Sequence, residues 1–355
     1  MESMAKVTLK DVAMACGVSL TTVSLVVNGR AEGRLSPATM ERVLAMASRL
    51  GYRPNLAARG LRSGQTRALA LLADRVGSTP FAGALLAGAQ HAAWSRRYVL
   101  ITVDTGDDAE LEQPAADLLL QQGAEGLVYG SMYHREVVLP QLPTDVAVAV
   151  ANGFVASTTN WPTTPDCVVP DDEGAAFEAV SRLARAGHKR IGICLVNQPM
   201  PAVALRLEGY RRALRQHDLE EDTALVVMAE NNTTVAAVPV VTDLLQRHRP
   251  SAMFCFSDRI AMGAYQACSR LNLSIPGDLS IVGFDDHPLL ADSLDPPLTT
   301  MALPHAAMGA WAVHRVIDRI EGDREPGLAN PYRMPCPMEE RSSVRTLSSL
   351  LFTEV

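Results

Sequence analysis

Two periodicities divide this chain. Between Leu9 and Leu50, apolar residues recur at helical spacing in three short groups: Leu9, Val12 and Ala13; Val23, Val26 and Val27; and Met40, Val43, Leu44, Ala47 and Leu50. Thr8 and Asp11 form a capping pair before the first group, Gly17 supplies a tight turn, Ser19 caps the second helix and Ser36-Pro37 opens the third. This is the order of a helix-turn-helix unit backed by a third helix. Its second helix leaves Leu20, Thr21, Thr22, Ser24 and Leu25 facing outward.

From Ala68 the pattern changes to strand-length apolar runs at Ala68–Ala73, Val99–Thr105, Gly126–Tyr129, Val146–Ala151, Arg190–Val196, Ala224–Met228, Ala252–Phe256 and Leu279–Phe284. Amphipathic helical stretches lie between them: Ala82–Ser95, Glu110–Gln121, Ala175–Ala186, Val203–Gln216, Thr234–Gln246 and Arg259–Leu271. Continuous apolar strands alternating with helices predict parallel sheets covered on both faces, an α/β body of doubly wound sheets. The series is long enough for two such lobes, with the break expected in the turn-rich stretch Thr158–Pro170. The domain plan is therefore a head over 1–53, a connector over 54–67 and a two-lobed body over 68–355.

The stretch GYRPNLAARGLRSGQTR, which runs from the end of the head through the connector, leaves two readings open. Asn55 can cap a helix through Leu56, Ala58, Arg59 and Leu61, but that helix is short and holds Gly60, so alone it is largely unfolded. It is either a plain basic linker or a hinge helix that forms only against a twin and DNA, with Leu61 wedged between base pairs in the minor groove.

Charge sharpens the division. Residues 1–67 hold ten Lys/Arg against four acids, a balance of +6, whereas the remaining 288 residues hold 22 against 35, a balance of −13. A small cationic head on a large acidic body points to a nucleic-acid contact joined to something else. Near the start of the second helix, Leu20 and Thr21 could reach base edges, while Thr22, Ser24 and Asn28 could bond phosphates. The longest apolar runs are about seven residues, against the roughly 20 needed to cross a bilayer, and the N-terminus lacks the apolar core of a signal peptide, so the expectation is a cytoplasmic protein without membrane contact. Six scattered cysteines without CxxC or Cys/His spacing suit reduced thiols and predict no metal site.

Enzyme signatures are lacking. There is no GxGxxG after the first strand; Gly83 and Gly88 have the spacing of a phosphate loop, but Ala89 and Gln90 stand where Lys and Ser/Thr are needed. GxSxG and HExxH are missing as well. His188, at a helix-to-strand turn, reads as structural, and Asp285-Asp286 have no nucleophile or metal-ligand set around them. No cofactor is expected. The strand ends instead suit ligand capture: Asn152, Ser257-Asp258 and Asp285 follow apolar strands, and Arg206 faces the same cleft. Such acceptors with one guanidinium fit a sugar or sugar acid. Asp258 is equally placed to cap the helix that follows it.

The segments VTLKDVAMACGVSLTTVSLVVNG and GYRPNLAARGLRSGQT in succession, then AGHKRIGI, RLEGYRRAL, SIVGFDD and PPLTTMALPHAAMGAWAVHRVIDRIEG, resemble the LacI/GalR family of transcriptional regulators over almost the whole chain. The later segments are also similar to periplasmic sugar-binding proteins. The resemblance implies a repressor acting as a homodimer on a near-palindromic operator in double-stranded DNA, with a small effector between the two lobes of each body. It implies that Leu20 and Thr21 read bases, that Thr8, Ser19, Thr22, Ser24, Asn28 and Arg34 touch backbone, and that Asn55, Ala58, Arg59 and Leu61 belong to the hinge. It places Phe81, Asn152, Arg206, Ser257, Asp258 and Asp285 at effector positions. Three features depart from the family pattern: Leu25 stands where many members read guanine with arginine, the Gly29–Leu35 loop is about two residues longer than usual for the family, and Asn231-Asn232 lie near where some members stack an aromatic on the ligand. Twelve residues follow Ser343, too few for a leucine-heptad tail, so the expected assembly is a dimer. A solute-binding protein and an α/β enzyme remain the rival classes, disfavoured by the cationic head and by the missing catalytic set.

Overall fold

In the computed structural model, which describes residues 7–52, 65–77, 79, 83–106, 108–156, 164–323 and 329–347, the chain divides into two units, Met1–Arg67 and Ala68–Val355. The readings that fall on Asn55, Ala58, Arg59, Leu61 and Phe81 lie outside the described residues.

The first unit begins with α1 (Leu9–Cys16), opened by a complete capping box in which the Thr8 hydroxyl meets the Asp11 amide and the Asp11 carboxylate accepts from the Thr8 amide at 2.7 Å. Gly17, in the left-handed conformation at φ 65°, lets the chain turn there. It redirects the backbone by 109° into α2 (Leu20–Val27), within the range of a helix-turn-helix. α3 (Pro37–Arg49) follows, capped by Ser36. Val12, Ala13, Cys16, Val23, Val26, Ala31, Val43 and Ala47 form the core. Two facings differ from expectation. Leu25 is half-buried against this core rather than turned outward, and Leu44, expected inside, is 52% exposed. With so small a core, single caps matter: Thr8→Ala is expected to cost the head about 1 kcal/mol, read as a lower midpoint in chemical denaturation followed by helical circular dichroism.

In the second unit β1 (Ala68–Asp74), β2 (Val99–Asp104), β3 (Gly126–Val137), β4 (Ala147–Val155) and β5 (Asp166–Pro170) build one sheet. Their helices are α4 (Gly83–Ser95) and α5 (Ala109–Gln121). A second sheet uses β6 (Ile191–Val196), β7 (Val226–Ala229), β8 (Ala252–Cys255), β9 (Ser280–Asp285) and β10 (Thr299–Ala302). It is covered by α6 (Asp172–Arg185), α7 (Pro201–Gln216), α8 (Thr234–His248) and α9 (Asp258–Arg270). After β10 the chain forms α10 (His305–Glu321), then β11 (Tyr332–Met334) and β12 (Met338–Glu339). The sheet orders are β11-β5-β4-β3-β1-β2 and β12-β10-β9-β8-β6-β7, and every pair is parallel except β10 with β12.

Neither lobe is a continuous stretch of sequence. The chain passes from the first sheet to the second after β5, returns after β10 so that α10 packs on α4 and on β3 and β4, and crosses again between β11 and β12. The stretch expected as a linker, Thr158–Pro170, therefore ends in a strand: Asp166–Pro170 is inserted between β4 and β11, and the crossing falls at Asp171-Asp172. The strand expected from Ala224 starts at Val226, after a single 3-10 turn. Gly88, whose spacing suggested a phosphate loop, serves packing instead. A Cβ there would collide with the Ala306 carbonyl, and one on Gly309 would collide with Leu85, so the two glycines let α4 and α10 touch backbone to backbone.

Candidate functional site

The head presents one face suited to DNA. Because Val23 and Val26 turn into the core, the first turn of α2 leaves Leu20 49% exposed and Thr21 exposed beside it. Ser19 caps α2 through the Thr22 amide, with the Ser19 and Thr22 hydroxyls 2.9 Å apart. Asn28 closes the helix by donating its side-chain amide to the Ser24 carbonyl and hydroxyl. Thr8, Ser19, Thr22, Ser24 and Asn28 are thus already engaged in capping α1 and α2, which fixes their positions. Arg34 is exposed, as are Lys10, Arg30 and Arg42, and among the described residues none of these four cations forms an ion pair. A helix N-terminus with short side chains, in a head that also exposes these cations, fits a groove edged by phosphates.

Within the second unit, a cavity of about 260 Å³ opens between the two sheets. Most of its walls come from residues at or just beyond the C-terminal ends of parallel strands, where doubly wound folds bind small molecules, with Arg206 reaching in from α7. The first lobe supplies Tyr133, His134 and Asn152. The second supplies Asp172, Arg206, Phe256, Asp285 and His287, and His305 comes from the crossing after β10. Asn152 and Asp285 have φ of 60° and 117°, values that side chains rarely adopt, and such strain collects at binding sites. Asn152 donates its amide to the carbonyls of Ser131 and Met132, both at 3.0 Å, which turns its own oxygen to the cavity as an acceptor. The Asp285 carboxylate accepts no hydrogen bond from the described residues; loss of solvent and the Asp258 carboxylate push its pKa well up.

Arg206 lines the cavity but is not a free fork. Its Nε and Nη2 donate to one Asp172 oxygen at 2.9 and 2.8 Å, Nη1 donates to the Phe256 carbonyl, and the guanidinium lies over the rings of Phe284 and Phe256, 3.5 and 4.4 Å from their centroids. The other Asp172 oxygen meets His134 Nδ1 at 2.8 Å, so one carboxylate ties the first lobe to the guanidinium of the second. Burial alone would raise Asp172, yet the Arg206 charge and the His134 hydrogen bond bring it below the usual carboxylate range.

Ser257 and Asp258, expected at the ligand, are not among the described residues lining the cavity. Ser257 is the cap of α9 and donates to Asn232 Oδ1 at 2.5 Å; Asp258 is the first residue of the helix, not its cap. Its carboxylate lies beneath β9 and β10, accepting from the Thr300 hydroxyl and the His287 amide, both at 2.6 Å. Desolvation raises its pKa to about 7. The folded state therefore holds this proton more tightly than the unfolded chain. The resulting stability is fully present below about pH 4 and is lost as pH climbs through about 7, at roughly 1 kcal/mol per pH unit. His305, lowered to about 4 by burial, acts in the opposite sense on acidification. Comparing wild type with Asp258→Asn at each pH between 5 and 8 cancels the histidines, and wild type is expected to lose ground as pH rises; parallel melting curves across that range would contradict the assignment.

Sequence reasoning missed His134, Asp172, His287 and His305. Asp172 was hidden because its strand was read as a linker, although an acidic pair directly after VVP marks a strand end. His134 lies within β3, where the strand shifts register against β4, and His287 and His305 follow β9 and β10 in stretches that no local pattern marks.

Comparison with known proteins adds independent findings. A family model described as bacterial regulatory proteins, lacI family, matches residues 8–55, and one described as periplasmic binding protein-like domain matches residues 180–344. The ribose operon repressor of Haemophilus influenzae is 32% identical over 321 residues, covering 90% of this chain and 93% of its own length. The structure of a CelR–cellobiose complex, a transcriptional regulator, matches with TM-score 0.61 and 26% identity over 95% of this chain and all of its own. The lac repressor dimer bound to operator and the anti-inducer ONPF matches with TM-score 0.72 and 22% identity, covering 96% and 99% of the two chains, a likeness of fold.

Proposed function

The chain belongs to the LacI family of bacterial regulatory proteins, and from that membership we propose that it is a DNA-binding transcriptional repressor whose operator affinity is set by a small polar effector held between its two lobes. The observation that carries the reading is the pairing of two features in one chain: an α2 whose first turn is exposed on a cationic head, and a cavity between two lobes built largely at strand ends.

The working form is a cytoplasmic homodimer, as in the operator-bound lac repressor, whose two-fold symmetry calls for inverted half-sites in the DNA. Leu20 and Thr21 read base edges, residues 54–67 act as the hinge, and Leu61 is its wedge in the minor groove. The effector acts by linkage. It binds one lobe angle better than the other, and a differential of a few kcal/mol is enough to decide whether marginal hinge helices form on DNA. No step of this cycle requires bond-making, so the chain is not an enzyme.

Enrichment of duplexes from a random pool tests the reading. A regulator selects an inverted repeat and retains it over competitor DNA. A solute-binding protein or an enzyme built on the same body selects nothing.

A further inference from the structure

The relatives bind ligands of different size: one is named for ribose, and another is held in complex with cellobiose, a disaccharide. What this chain accepts is written in the walls of its own cleft. Given the reading of the cleft as the effector site, we propose that the effector is an uncharged, single-ring polyhydroxy compound and that the His134–Asp172 contact is the wall that limits its size.

Charge is the first argument. The buried guanidinium of Arg206 is consumed by Asp172 and the Phe256 carbonyl. His287 and His305 are kept uncharged by burial. Arg259 stands exposed at the rim, where water screens it. Facing the ligand inside is the Asp285 carboxylate, with no hydrogen-bond donor from the described residues. A phosphate or carboxylate on the ligand would find no free buried cation among the described residues to receive it. The polar groups that remain alternate in kind: Asp285 and the Asn152 oxygen accept, while the Asn232 amide nitrogen, whose oxygen is taken by Ser257, donates. Hydroxyl groups do both at once and fit such a mixed lining.

Size is the second. The cavity, at about 260 Å³, falls below the span of about 300–1,000 Å³ in which drug-sized ligands bind. Adjoining it is a second, more open pocket of about 400 Å³, lined by Phe154, Val169, Pro201, Leu205 and Pro331 among others. His134, Pro170 and Asp172 line both chambers. The His134–Asp172 contact, closed at 2.8 Å and backed by the Phe154 ring at 5.9 Å and 80°, is therefore a partition. A second sugar ring extending this way meets a formed hydrogen bond instead of open space.

The test is a thermal-shift and titration panel on the full-length protein: aldopentoses and aldohexoses, their phosphates and uronic acids, and disaccharides including sucrose and cellobiose. At least one uncharged monosaccharide is expected to raise the melting temperature, since a ligand of the folded state stabilises it by mass action, and the charged and two-ring compounds are not. His134→Ala opens the partition and is expected to bind a disaccharide at least tenfold more tightly than wild type does. His134→Gln, which keeps a donor toward Asp172 and most of the bulk, is expected to exclude it. A charged or two-ring sugar that binds wild type as tightly as any monosaccharide overturns the proposal and keeps the cleft as an effector site, and unchanged exclusion by a folded His134→Ala removes the partition. Silence from the entire panel overturns both. The wild-type panel decides charge and size even where the alanine variant fails to fold.

Discussion

Arg206→Ala is expected to destabilise the body by about 3–5 kcal/mol, the usual cost of stripping one partner from a buried ion pair. Asp172 is fully buried and owes its ionised state to Arg206 and His134. Without the guanidinium it keeps the histidine alone, and two phenyl faces and the Phe256 carbonyl lose their contact as well. Urea unfolding monitored by tryptophan fluorescence measures the loss. Asp172→Asn on the Arg206→Ala background should recover part of it, because the stranded charge is gone, and a double-mutant cycle isolates that coupling. A loss below about 1 kcal/mol would mean that the pair behaves like a surface bridge and that the cleft floor is wet. The consequence for function is direct: an Arg206 variant that fails to respond to effector says little about ligand contact. Asp285→Asn is the cleaner probe, since that carboxylate holds up no neighbour through a hydrogen bond among the described residues.

The second large effect belongs to the head. Leu20→Ala and Thr21→Ala change residues that contribute nothing to the core formed by Val23 and Val26. The domain should therefore melt as before while operator affinity falls. Base contacts of this kind discriminate by about 1–3 kcal/mol each, or roughly five- to 150-fold. Fluorescence anisotropy on the selected duplex and on a scrambled one separates this from a phosphate effect. Loss on the selected duplex alone marks a base reader, whereas equal loss on both would move the residue to the backbone class. Arg34→Ala is the counterpart: weaker on both duplexes, with a shallower salt dependence.

Much of the architecture was legible because its strands are buried on both faces. Runs such as ALALLAD and IGICLV have no polar alternation to confuse with surface strands, and the helices between them carry clear apolar stripes. The capping box at Thr8 and Asp11 was legible for a similar reason, since its chemistry is complete within four residues. What escaped depends on distant partners. β5 is short, begins at Asp166 and follows a run of threonines and prolines, so local pattern favours a linker; it is a strand because β4 and β11 flank it. Arg206 lines the cavity, but its engagement with Asp172 joins α7 to the start of α6 across 34 positions. The His134–Asp172 contact joins residues 38 positions apart, and His134 falls where β3 shifts register against β4, between Gly130 and Arg135. The facings of Leu25 and Leu44 went astray because a helix of eight to thirteen residues in a small head offers too narrow a stripe to fix its rotation.

The central claim is that one chain reports the occupancy of its cleft to duplex DNA. A single titration addresses it: anisotropy of the selected inverted repeat against full-length protein, repeated with the cleft ligand at saturation and again with Asp285→Asn. The account predicts specific binding that the ligand shifts at least fivefold in either direction, with the shift lost in the variant. Equal affinity for selected and random duplexes, or a ligand that binds the body and leaves the DNA isotherm where it was, would contradict it.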